Sequence, residues 1–167
     1  MKKIVTLMMA LVLAGSALFA AAKSQFVADD FSITIPAGWE YDYDANDMDG
    51  MVFIAESLYS KDEEFTETVS IKKDVLAPNE KFTAKSYLEA LLEDCARRNE
   101  RFELLANYKN LAAVRYIHPD INNGTDVVQY IRIVIKKNVA YIICATALPE
   151  TIKAYEDDFN TIVLSFK

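Results

Sequence analysis

The acidic run Asp44-Ala45-Asn46-Asp47-Met48-Asp49-Gly50 holds the side chains of this 167-residue chain best suited to a cation. Written as Ala45-x-Asp47-x-Asp49-Gly50-x-Val52-x-x-x-Glu56, it matches the third, fifth, sixth, eighth and twelfth positions of an EF-hand calcium loop. The first position carries Ala45, which removes a ligand oxygen, and the flanks read as strands where helices belong. Two readings follow. Asp44, Asp47 and Asp49 make a weak, non-EF cation contact, or the run is an acidic β-turn in which Asp49-Gly50 supplies the turn conformations. Just upstream, Trp39, Tyr41 and Tyr43 share one strand face by their odd spacing. That face is either core packing or an exposed platform for a ligand or partner, and the tyrosine hydroxyls call for water or a partner.

Other chemistry is limited by what the chain lacks. Its single histidine, His118, rules out a two-histidine zinc motif within one chain. Gly38, Gly50 and Gly124 are too scattered for a phosphate-cradling loop or a dinucleotide fingerprint. No serine lies in a G-x-S-x-G elbow. A composite Ser or Cys site using His118 stays open, although His118-Pro119 reads as part of a hairpin loop. Asn123-Gly124-Thr125 fits a glycosylation sequon, and the turn dipeptide explains Asn123 better. No cofactor is expected.

The elements that would position these residues begin after an export signal. Lys2 and Lys3 precede an apolar stretch from Ile4 to Phe19, and Ala20-Ala21-Ala22 offers a small-x-small cleavage site. Residues 1–22 are therefore expected to be removed, with no lipid-anchor cysteine at the junction and no membrane span in the mature chain. The remaining 145 residues, 23–167, form one expected domain. Losing the leader's two lysines takes the net charge from −7 to −9. That balance argues against nucleic acid and anionic membrane surfaces, and permits a basic partner or a cation.

Strands are expected at 31–35, 39–43, 51–55 and 66–75, read as a β-meander, then at 111–117, 127–136 and 139–147. Lys137-Asn138 makes the turn between the last two. A helix over 83–99 is capped by Thr83 and stapled by Phe82 and Tyr87, with Ala84, Leu88, Leu91 and Cys95 on its apolar face. A second helix, 149–163, opens with Pro149 at its first position and leaves 165–167 as an extended tail. Residues 127–136 and 139–147 are apolar on both faces, so helices must cover both sides of the sheet there. Cys95 and Cys144 are able to bridge only if the first helix lies over the Cys144 face.

The opening Phe31-Ser-Ile-Thr-Ile-Pro-Ala-Gly-Trp39 resembles the F-x-I-x-x-P-x-x-W start of PsbP-like and DcrB-like domains. The close, Tyr155-x-x-x-Phe159-x-x-Ile162-x-x-Ser165-Phe166, is similar to that family's terminal helix and S-F tail. The resemblance implies an α+β fold, an α-β-α sandwich around a central antiparallel sheet, used by non-enzymatic partners of larger assemblies. The expected function is an exported, periplasmic or secreted, non-enzymatic accessory or binding module that docks on a protein of the cell envelope. The alternatives are a weak divalent-cation binder at the turn 44–49 and a small hydrolase with a composite site.

Overall fold

The computed structural model describes residues 23–60, 65–99, 101–118 and 124–167. The expected leader and Asn123 lie outside these residues. In chain order the elements are β1 (Ser24–Val27), β2 (Ser32–Ile35), β3 (Trp39–Tyr43), β4 (Met51–Ser57), β5 (Thr68–Val75) and α1 (Ala84–Arg98). They continue with β6 (Glu103–Tyr108), β7 (Leu111–His118), β8 (Thr125–Lys136), β9 (Val139–Ala147) and α2 (Ile152–Ser165). Seven strands form one antiparallel sheet in the order β3-β4-β5-β9-β8-β7-β6, while β1 and β2 pair as a separate hairpin.

Alternation along β8 and β9 divides the core. Ile143 and Ala145 face one side with Phe53, Ile71, Phe159 and Ile162; Ile142, Ile131 and Ile133 face the other with Leu88 and Leu92. α2 and the β1–β2 hairpin cover the first face, and α1 covers the second, which makes the α-β-α sandwich. The cover on the α1 side is partial. Toward β3 that face carries Glu40, Asp42, Glu56, Ser70 and Lys72, all half-buried or exposed.

The motif residues at the two ends of the chain meet in the core. Phe31 stacks on Phe166 at 5.4 Å between ring centroids. Lys167 exchanges two backbone hydrogen bonds with Ser32, both 3.1 Å, and the Ser165 hydroxyl accepts from the Thr34 N–H at 2.8 Å. The S-F ending is therefore a clasp on β2. Lys73 forms a 2.8 Å ion pair with Asp30, whose carboxylate also accepts from the Tyr141 hydroxyl at 2.8 Å. Partial burial works to raise the Asp30 pKa, but the Lys73 and Tyr141 hydrogen bonds outweigh it and hold the carboxyl below its usual range.

Several sequence expectations need correction. Residues 31–35 belong to the separate hairpin, so the meander begins at β3. β1 and β6 lie outside the expected strands. α2 begins at Ile152, because Leu148 to Thr151 close a turn in which the Leu148 carbonyl accepts from both Thr151 and Ile152. It also extends through Ser165, leaving only 166–167 as tail. His118 is the last residue of β7, paired with Thr125, and not a loop residue. The buried stripe of α1 runs through Leu88 and Leu92, with Leu91 only half-buried. α1 does lie on the Cys144 side; both thiols are free, and burial, with Cys95 nearby, pushes Cys144 up to about 12.

Candidate functional site

β3 places Trp39, Tyr41 and Tyr43 on the α2 face, where they have different surroundings. Trp39 is buried against Tyr155 and Phe159, with ring centroids 6.2 and 5.9 Å away, and its indole N–H donates to Asp158 at 2.8 Å. It joins the strand to α2. Tyr43 packs on Phe26 at 5.0 Å and is half-buried. Tyr41 stacks on Phe53 at 5.5 Å and keeps 48% of its surface exposed, so it is the accessible ring of the three.

The acidic run is a tight turn between β3 and β4. Asp44 accepts from the Asn46 N–H at 2.8 Å; Asp47 accepts from the N–H groups of Asp49 at 3.0 Å and Met51 at 2.9 Å. Two of the three carboxylates therefore hold their own turn together. Gly50 sits at φ +78°, its N–H donates to the Asp47 carbonyl, and a Cβ there would lie 2.5 Å from the Lys73 carbonyl oxygen. Among the described residues, no group of three or more His, Cys, Asp or Glu side chains is placed to hold a metal.

Glu67 is fully buried. One carboxylate oxygen accepts from the Thr151 hydroxyl at 2.5 Å, and the other lacks a hydrogen-bond partner among the described residues. The bond ties the start of β5 to the start of α2. His118 lies beside the Tyr116 ring at 5.7 Å on β7.

Sequence reasoning missed a groove between α2 and the far end of the sheet. α2 packs chiefly on β2, β5, β8 and β9 and meets β7 only at its edge, where Leu111 packs against the cluster that holds Phe159 and Val163. Ala106 and Ala113, cross-strand partners on those two strands, are too small to fill the space left. The result is an apolar trough of about 200 Å³, floored by Ala106, Leu111, Ala113 and Tyr130 and walled by Phe159 and Val163. Glu156 and Asn160, both exposed, stand at its mouth. Burial, followed by the Glu156 charge, raises the Tyr130 hydroxyl. Beside the trough, all six residues of β6 are exposed, including Leu104 and Leu105 at 47% and Tyr108 at 68%. No described strand pairs with the outer side of β6.

An apolar trough with the Glu156 carboxylate at its rim has the form of a binding site. No family model matches the chain, and no curated protein matches it. Solved structures do. A cyanobacterial PsbP (CyanoP) from Synechocystis sp. PCC 6803 aligns at TM-score 0.55 and 12% identity, covering 92% of this chain and 95% of that one. LpqN of Mycobacterium tuberculosis, described as involved in cell envelope biogenesis, aligns at TM-score 0.51 and 11% identity, covering 89% and 86%. The fold is PsbP-like. Among the described residues, no helix is long and apolar enough to cross a membrane.

Proposed function

We propose that this chain is an exported, non-enzymatic accessory module that holds a protein partner of the cell envelope at the trough between α2 and β6–β7. The trough carries the reading: it is apolar, it is open to solvent, and it offers an apolar side chain a place beside one carboxylate, Glu156. Recognition of that kind needs shape and burial and no reacting group. The leader-like residues 1–22 support export, and the PsbP-like fold fits an accessory role.

The test is capture from the native envelope by the purified protein, with Ala113→Glu as the comparison. Ala113 lies on the trough floor and is 6% exposed, so a glutamate there blocks the floor and places a charge in it. The proposal expects one partner to be retained by the wild type and lost by the variant. Equal capture by a folded Ala113→Glu protein contradicts it.

A further inference from the structure

We propose that β6 accepts an added strand: an extended segment of the partner, carrying alternate apolar side chains and a basic residue, pairs with its outer edge, which no described strand occupies, and sets one apolar side chain in the trough. This rests on the trough as the docking site and names the chemistry of what docks there. The first ground is the backbone. An edge strand presents a row of unpaired N–H and C=O groups, and only an extended chain can satisfy them in sequence. The two-residue turn at Lys109-Asn110 makes Tyr108–Leu111 the closing pair, so Asn107 directs its N–H and C=O away from β7.

The second ground is sparse edge protection. After Glu103 at its start, Leu104-Leu105-Ala106-Asn107-Tyr108 holds no charge and no proline, two of the devices that keep strands off an edge. A register shift between Leu104 and Ala106 bends the strand there, leaving Ala106 to Tyr108 in regular pairing with β7. The third ground is position. Side chains on the α2 face of an added strand would project beside Ala106, where the trough begins.

Charge selects the occupant. Glu156 is the one charged residue lining the trough among the described residues, and the whole chain has a net charge of −7. A basic residue on the incoming strand meets Glu156, whereas a second copy of this chain sets one acidic molecule against another.

The experiment selects displayed random dodecapeptides on the purified protein. The enriched sequences are then synthesised with free and with alternately N-methylated backbones. The expected peptides combine apolar and basic residues. They slow amide exchange across 103–108, and N-methylation weakens them by roughly tenfold or more. Asn107→Pro, which removes the outward N–H, weakens them likewise, and so does Leu105→Lys, which puts a positive charge on an exposed position. Peptides insensitive to both variants and to N-methylation, protection elsewhere, or no enrichment at all overturn strand addition. If binding falls with Ala113→Glu but not with the edge changes, the trough stands and strand addition fails. Sedimentation showing a β6-dependent dimer would assign the edge to a second copy and contradict the proposal.

Discussion

The two ends of the sheet are built differently. At one end, β3 carries Glu40 and Asp42 on the strand itself, with Trp39 buried, Tyr43 half-buried and Tyr41 half-exposed. Trp39 is tied to α2 through Asp158, while Tyr41 and Tyr43 lie against Phe26 of the β1–β2 hairpin, at 5.2 and 5.0 Å. At the other end, β6 presents Leu104, Leu105 and Tyr108 to solvent, and all six of its residues are exposed. Two charges and a covering hairpin guard the first edge; the second has a bulge and a single charge at its first residue, Glu103. A chain that guards one edge and leaves an apolar trough beside the other has placed its accessible surface at that other end.

The largest expected effect lies at the guarded end. Trp39→Ala removes a buried indole, its contacts with Tyr155 and Phe159, and its bond to Asp158, and should cost roughly 3–5 kcal/mol in denaturant unfolding. A loss under about 1 kcal/mol would mean that β3 is not anchored through this residue. Next in size is the turn that leads out of β3. Asp47→Ala releases two N–H groups of the turn to water and should cost about 1 kcal/mol. Calorimetric titration of the wild type with calcium should give no more than weak binding, because Asp44 and Asp47 are already engaged and Ala45 supplies no ligand.

A smaller effect appears in acid. The Asp30 carboxyl titrates lower in the folded chain than in the unfolded one, so the unfolded chain binds the extra proton as pH falls. The Asp30–Lys73 contribution is present above the ordinary carboxylate range and is lost as pH drops through the depressed folded value. For a pair this exposed it amounts to less than about 1 kcal/mol. Asp30→Asn should remove that part of the pH dependence; an unchanged acid limb in the unfolding profile would show that the pair contributes nothing. The smallest effect belongs to the open edge. Leu105→Lys should change stability by no more than about 0.5 kcal/mol, since the side chain is half-exposed and anchors nothing. A large loss would make β6 a structural strand and remove the contrast between the edges.

Much of the fold is legible in local chemistry. Thr83 caps α1, with Ser86 completing a reciprocal capping box, and Phe82 meets Tyr87 at 5.5 Å as the staple spacing requires. The both-face apolarity of β8 and β9 foretells helices on both sides, and Lys137-Asn138 turns the chain between them with Lys137 at φ +55°. The same dipeptide recurs as Lys109-Asn110, with Lys109 at φ +55°, and it marks the hairpin that makes β6. That was a readable sign. Glu103-Leu-Leu-Ala-Asn-Tyr108 itself is not, because an edge strand exposed on both faces leaves no alternation to find. Pro149 is well suited to open a helix, but the turn closed by the Leu148 carbonyl delays the helix to Ile152. The trough is hidden for a different reason. It depends on how far across the sheet α2 comes to rest, and helix periodicity says which residues face the sheet, not which strands they cover.

A photoreactive residue installed at position 105, and separately at position 41, tests the contrast most directly when the protein is irradiated in its native envelope. Both positions are about equally exposed, at 47% and 48%. The account predicts a discrete adduct from position 105 that disappears in the Asn107→Pro background, and none from position 41. An adduct from position 41 alone, or one from position 105 that survives Asn107→Pro, would contradict it.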